Sequence, residues 1–378
     1  MKFLHTSDLH IGIKLYDYSL YEDQKHILNQ IVDIAEREDV DVILLSGDIY
    51  DKSVASEEAV SLLDEFISDI YSRGIKVCAI SGNHDSADRI SFGDRIMDSA
   101  GIHFSHTYDG TIKKVVINDK YGDVNIYLFP FIKPTNVRTR YPEDEINNYT
   151  EAVSIALRNT DIDFSQRNIL LCHQYVAGSI TCDSENVTIG GLDNVDSEVF
   201  NGFDYVALGH VHSPQIIGGN ENIRYSGTPL KYSVSEVRQI KSVIIGEISQ
   251  KGNISLNKVE LTPLRDMITI KGKLSEILDG EFYEKINREC YINIILTDEE
   301  ENHFAVSEIR KIYPRFLKIS YDNTRSNFYS EAEVFSDSSS KTPLELISEL
   351  YLTQNGMDMT PKQQEALSAM IEEIWEVK

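Results

Sequence analysis

Thiolate chemistry has little to work with in this chain. Its 378 residues include four cysteines, Cys78, Cys172, Cys182 and Cys290, and no two of them form a C-x-x-C pair. A zinc knuckle is therefore not expected, and Cys78 and Cys172, set in apolar runs, read as buried thiols. Positive charge is also scarce. Lys and Arg number 36 against 61 Asp and Glu, giving a formal net charge of −25. Phosphate neutralisation by basic side chains supplies most sequence-independent DNA affinity, so a free-standing binder of that kind is not expected. A nuclease remains open, because bound cations reverse the local sign and a basic partner can supply further contacts. No glycine-rich phosphate loop is present, so ATP chemistry is not expected in this chain. No internal repeat is visible. No stretch approaches a membrane span, and no basic segment followed by an apolar one opens the chain. These features predict a cytoplasmic protein with no membrane partner.

What the chain does have is five short polar blocks in a fixed order. They are Asp8-Leu9-His10, Gly47-Asp48-Ile49-Tyr50-Asp51, Gly82-Asn83-His84-Asp85, Cys172-His173-Gln174 and Gly209-His210-Val211-His212. Each follows a short apolar run that reads as a buried strand: Phe3-Leu4, then residues 42–45, 77–80, 169–171 and 206–208. A doubly wound sheet gathers such strand ends along one edge, where ligands bind. Carboxylate, imidazole and amide donors without thiolate suit two divalent cations, with Mn²⁺ expected and Mg²⁺ admissible. Asp8 and His10 sit two apart, so on an extended strand end they share a face and can reach one ion. Alone, His173 would read as a structural histidine and Asp8 or Asp48 as a strand-end cap. The complete set favours ligands. His5, His26, His103, His106 and His303 lie outside the blocks and read as structural or surface residues.

The pattern D-x-H, G-D-x-x-D, G-N-H-[DE], a lone His and G-H-x-H resembles that of the calcineurin-like metallophosphoesterases. Further runs resemble the nuclease subunits of the bacterial SbcCD type, within the double-strand-break repair nucleases. They are residues 5–12 (HTSDLHIG), 190–193 (GGLD), 203–210 (FDYVALGH) and 224–229 (RYSGTP). The resemblance is strong to about residue 245 and weaker beyond. It implies an α/β fold, a four-layer αββα sandwich, with a small α+β capping domain and a C-terminal helical docking segment. It also implies phosphodiester hydrolysis by two cations about 4 Å apart that hold both the phosphate and a hydroxide. By the family pattern Asp48 bridges the cations. Asp8, His10 and His212 hold the first, and Asn83, His173 and His210 hold the second. His210 and His212 have the spacing of Asp8 and His10, yet the family divides them between the ions. His84 is not a ligand there. It points at the phosphate, stabilises the transition state and protonates the leaving oxygen. Asp51 matches the carboxylate that orients this histidine in related phosphatases, a position often taken by His in archaeal and eukaryotic break-repair nucleases. Asp85 is compatible with a cap on the helix beginning near Ser86, and no catalytic role is assigned to it. Lys14, Lys52 and Arg89 flank the blocks and are candidate DNA-phosphate contacts, with a solvated basic side chain as the plainer reading.

Organisation along the chain is expected as follows: residues 1–262 the phosphoesterase domain, 263–322 a β-α-β-α-β capping domain, 323–341 a polar linker and 342–378 two docking helices. Helices are predicted over 20–36 and from Ser56 to Arg73, the latter with an apolar stripe of Val60, Leu63, Ile67, Ile70 and Tyr71. Thr342-Pro343 and Thr360-Pro361 open the last two helices. Their apolar stripes are Leu344, Ile347, Leu350 and Tyr351, then Leu367, Met370, Ile371, Ile374 and Trp375. The function expected is a metal-dependent nuclease, double-strand exonuclease and single-strand or hairpin endonuclease, in DNA repair and recombination. Its expected partners are an SbcC-type coiled-coil ATPase and a second copy of itself, as a homodimer within a heterotetramer. The alternatives are a stand-alone phosphatase or cyclic-nucleotide phosphodiesterase on the same fold, or a non-catalytic scaffold. The extension after residue 262 argues against the former, and the full ligand set argues against the latter.

Overall fold

In the computed structural model the described residues are 1–185, 194–300 and 302–323, then 344, 347–348, 351–352, 358–364 and 366–368. Two compact units are found. The first comprises Met1–Ile268 with Glu289–Tyr291, and the second Thr269–Arg288 with Ile292–Lys378.

The first unit begins with βαβ alternation. Strand β1 (Lys2–Thr6) leads to helix α1 (Tyr21–Arg37), β2 (Val42–Ser46), α2 (Glu57–Ser72) and β3 (Lys76–Ile80), with β4 (Ile102–Phe104) after them. These four strands pair in parallel, as right-handed helical crossovers require. Strands β5 (Lys113–Asp119), β6 (Gly122–Phe129), β7 (Arg167–His173), β8 (Tyr205–Gly209), β9 (Gln215–Ile217) and β10 (Asn220–Tyr225) build a second sheet in the order β9-β10-β8-β7-β6-β5. Strands β11 (Ser242–Ile248) and β12 (Ile254–Glu260) return to the first, whose order is β12-β11-β1-β2-β3-β4. Strand β11 runs antiparallel to β1.

Side-chain alternation along each strand divides the apolar residues between two layers. Phe3, Val42, Leu44, Cys78 and Ile80 of the first sheet meet Ile126, Leu128, Ile169, Leu171, Tyr205 and Ala207 of the second in one inter-sheet core. The far face of the second sheet, with Tyr127, Leu170, Val206 and Leu208, packs on the helix Tyr149–Arg158 through Val153, Ala156 and Leu157. Ser56 caps α2, its hydroxyl accepting from the Ala59 amide at 3.2 Å. The buried face of α2 is Ala59, Leu62, Leu63, Phe66 and Ile70. The stripe predicted from the sequence is rotated from this face. Val60 and Tyr71 are 50% and 56% exposed, because Leu62 and Phe66 form the better-filled side of a broadly apolar helix. The helix expected to begin near Ser86 is also broken. Gly93 takes φ 78°, a left-handed value, and separates Ala87–Ile90 from Asp94–Ser99.

In the second unit, helices Leu274–Ile277 and Gly280–Tyr283, a strand Tyr291–Leu296 that begins in the first unit, a helix Ala305–Ile312 and a strand Phe316–Tyr321 follow one another. The last two strands pair in parallel. Residues 344, 347–348, 351–352, 361–364 and 366–368 are helical. The expected linker beyond Asn323 lies outside the described residues, as do Leu350, Met370, Ile371, Ile374 and Trp375 of the expected docking stripes.

Candidate metal centre

The five blocks lie at the C-terminal ends of β1, β2, β3, β7 and β8, where the two sheets come within side-chain reach. Gly209 permits that approach, and Gly82 the close packing of the loops after β2 and β3 within the first sheet. A Cβ on Gly209 would lie 1.8 Å from the Ser46 carbonyl oxygen, and one on Gly82 would lie 2.1 Å from an Asp48 carboxylate oxygen. Four of the expected ligands also hold left-handed backbone: Asp8 at φ 53°, His10 at 43°, Asp48 at 48° and His210 at 106°. Such conformations cost free energy and persist where surrounding contacts fix them, often at functional sites. Here the Asp8 amide donates to the Gly47 carbonyl at 3.0 Å and the His10 amide to the Asp48 carbonyl at 3.0 Å.

The structure brings all seven expected ligands together. His10 Nε2 and His212 Nε2 face each other at 3.2 Å, and Asp8 completes a three-donor group with them. Asp48 Oδ2 lies 3.7 Å from His10 Nε2 and 3.4 Å from His173 Nε2, between the two histidines. Asn83 Oδ1 stands 3.0 Å from His173 Nε2 and 2.8 Å from His210 Nδ1. Burial drives His10 down to about 4 and His212 well below the ordinary histidine range, so both rings are neutral with lone pairs to offer. Burial raises Asp8 to about 7. Burial also opposes charge on His173, but the Asp48 carboxylate beside it outweighs this and raises it. This donor set, converging with no thiol among the seven and with Asp8, His10, Asp48, His173 and His212 buried, fits two divalent cations. Ser46 orients the expected ligand His173 through its main chain, since its carbonyl accepts from His173 Nδ1 at 2.8 Å.

His84 lies beside the cluster, within reach of Asp48 and His10. Its amide donates to Asp48 Oδ1 at 2.9 Å, and its ring Nδ1 meets the Asp51 carbonyl oxygen at 2.9 Å. The expected Asp51 carboxylate is not the group that touches the ring. The turn after β2 presents the peptide oxygen instead. Asp85 is also placed differently from a cap at Ser86. Its carboxylate accepts from the amides of Ile49, Tyr50 and Gly82 at 3.0, 2.9 and 2.9 Å, tying the Asp48 loop to the Asn83 loop.

Lys14 and Lys52 are exposed and line one open groove of about 380 Å³ that reaches Asp51. Lys52, Asn83 and His84 share a second opening beside it. Arg89 is exposed on the short helix Ala87–Ile90, outside both. His5 is structural. Its two nitrogens meet the Tyr205 hydroxyl at 2.9 Å and the Leu208 carbonyl at 3.1 Å.

Sequence reasoning missed a layer of supporting residues. Gln24 on α1 donates to the carbonyls of Leu9 and His10, and the Tyr232 hydroxyl also donates to Leu9. The Tyr225 hydroxyl holds Gln174 O and the Val176 amide, while Gly227 approaches the His212 carbonyl too closely for any Cβ. The run 224–229 was visible as a motif, but its task of supporting the 210–212 loop was not.

Residues 1–214 match the model of the calcineurin-like phosphoesterases. The chain belongs to that family. Residues 263–355 match a second model, described as the type 5 capsule protein repressor C-terminal domain. The SbcD subunit of the SbcCD nuclease from Staphylococcus epidermidis is 33% identical over 324 residues, covering 85% of each chain. That from Staphylococcus saprophyticus is 32% identical over 323 residues, covering 84% of each. At this identity and coverage the chain also belongs to the SbcD family. A dimetal phosphatase structure from Danio rerio is a looser likeness, with TM-score 0.40 and 11% identity over 70% of this chain and 98% of that one. Among the described residues no helix is long and apolar enough to cross a membrane.

Proposed function

We propose that this chain is the nuclease subunit of an SbcCD-type assembly, hydrolysing DNA phosphodiester bonds and working with an SbcC-type coiled-coil ATPase. The observation that carries the reading is the convergence of seven residues of metal-ligating type at one edge of the joined sheets. It occurs in a chain that matches SbcD proteins over 85% of its length.

Asp8, His10 and His212 would hold one cation, Asn83, His173 and His210 the other, and Asp48 both. When bound, the cations polarise the phosphoryl oxygen and lower the pKa of water. Mn²⁺ is the preferred ion, with Mg²⁺ admissible, since the donors are oxygen and imidazole. The chain's own residues do the rest. The Asp51 carbonyl accepts from His84 Nδ1–H, which leaves Nε2 for the substrate. Carrying a proton there, His84 stabilises charge on the phosphate and gives that proton to the leaving oxygen. Lys14 and Lys52 line the groove beside this point and suit DNA phosphates. Linear ends and hairpins are the substrates proposed, by exonuclease and endonuclease cleavage respectively.

The region matched over 263–355 supports a partner-bound nuclease over a stand-alone phosphatase. The exposed Val60, Tyr71, Phe92 and Ile96 offer an apolar surface for a two-fold homodimer. Sedimentation showing only monomer at micromolar concentration would count against that pairing. The test of the whole reading is digestion of linear and hairpin DNA with Mn²⁺, alone and with the coiled-coil ATPase. Cleavage that needs the metal and rises with ATPase and ATP supports it. Hydrolysis of small phosphate esters with DNA left intact overturns it.

A further inference from the structure

His212 differs from the other buried histidines of the centre in what stands behind it. The His173 Nδ1 meets a main-chain carbonyl, as does that of the half-buried His84, and the His10 Nδ1 has no hydrogen-bond partner among the described residues. His212 Nδ1 instead meets a side chain, the Ser184 hydroxyl, at 2.7 Å. The same hydroxyl lies 2.7 Å from Glu236 Oε1. Glu236 is fully buried, and its other oxygen accepts from Lys241 Nζ at 2.6 Å. Lys241, itself 5% exposed, also donates to Thr228 Oγ1, Gln239 Oε1 and the His212 carbonyl.

We infer that Ser184, Glu236 and Lys241 form a positioning relay that holds His212 as its Nδ1–H tautomer and so presents an unprotonated Nε2 to the cation. The inference rests on the two-metal reading of the site. Proton counting fixes the tautomer. A serine hydroxyl has one proton and two lone pairs, and an ionised carboxylate only accepts. Lys241 and Glu236 form a buried ion pair, and a buried carboxylate is stable when paired and fully hydrogen-bonded. The Tyr232 amide, at 3.2 Å from Oε1, adds to that satisfaction. The Ser184 proton therefore goes to Glu236. The Cys182 sulfur, 3.1 Å from Ser184 Oγ, is the weaker acceptor and does not compete. Toward His212, Ser184 then offers a lone pair, so Nδ1 carries the hydrogen. Nε2 is left with its lone pair in the group formed with Asp8 and His10. The main chain of His212 is fixed by the same elements. Its carbonyl accepts from Lys241 and the Thr228 amide, and its amide donates to Glu185. Lys241 thus grips both the peptide and, through two side chains, the ring.

A partner behind a metal-bound histidine fixes its ring and raises its basicity, and losing it costs about ten- to a hundredfold in metal affinity. The test uses the full chain, Ser184→Ala and Ser184→Thr. Nitrogen-15 NMR of the metal-free protein reads the His212 tautomer, and calorimetric Mn²⁺ titration reads both sites. The wild type should show His212 with Nδ1 protonated. Ser184→Ala should show mixed tautomers and an affinity about tenfold or more weaker at one site with the other unchanged, and Ser184→Thr should restore both. An Nε2–H tautomer in the wild type, or unchanged tautomer and affinities in Ser184→Ala, overturns the relay. The wild-type spectrum decides even if a variant fails to fold. A wild-type protein that binds no Mn²⁺ but shows the Nδ1–H tautomer would instead overturn the two-metal reading and leave the relay standing.

Discussion

His84 Nδ1 lies 2.9 Å from the main-chain carbonyl oxygen of Asp51. The group that fixes the proposed acid is thus a peptide oxygen, which no substitution at residue 51 removes. Asp51→Asn should therefore keep the orientation of His84 and lose less than about tenfold in turnover, or about 1.4 kcal/mol in barrier. Steady-state cleavage of a linear duplex with Mn²⁺ is the check. A loss as deep as that of a His84 variant would return the orienting role to the carboxylate.

Asp85 should matter more than its sequence position suggests. Its carboxylate takes three amides from two ligand-bearing loops. Asp85→Ala leaves those donors without their anionic acceptor, at a cost of about 2–4 kcal/mol. Its thermal midpoint should fall, and Mn²⁺ affinity should fall with it, since Asp48 and Asn83 flank the lost contacts. Wild-type stability by denaturant titration would contradict this.

Asp48 sits between His10 and His173. As the ligand proposed to be shared by both cations it should be the least replaceable. Metal content measured on Asp48→Ala should drop well below that of the wild type. Two cations per chain in that variant would remove Asp48 from its bridging place.

Much of this was legible in the sequence because strand ends and donor residues are local features. The apolar runs before Asp8, Asp48, Asn83, His173 and His210 marked the sheet edges, and the helix 21–37 differs by one residue at each end from its expected bounds. What was not legible depends on long-range packing. Periodicity could not choose between the Val60–Tyr71 and Leu62–Phe66 sides of α2, as both are apolar. Nor could motif matching tell a carboxylate from the peptide oxygen of the same residue, as at Asp51. The pairing of Glu236 with Lys241 behind His212 joins residues that carry no recognisable motif. The pair itself is local, five residues apart, but its contact with His212 spans 29 residues.

Truncation after Asn323 should leave basal nuclease activity and metal content intact, since every proposed ligand precedes residue 213. It should abolish association with the coiled-coil ATPase and any ATP-stimulated cleavage. Co-purification of the shortened chain with the ATPase at wild-type strength would assign docking to another region.

The most direct test of the account is His84→Gln, followed by metal titration and DNA cleavage on the same preparation. The substitution removes the proposed acid and leaves all seven proposed ligands. The account predicts two Mn²⁺ bound as in the wild type and turnover lower by roughly a hundredfold or more. Near-normal turnover with both metals bound would contradict it and give the proton transfer to another group.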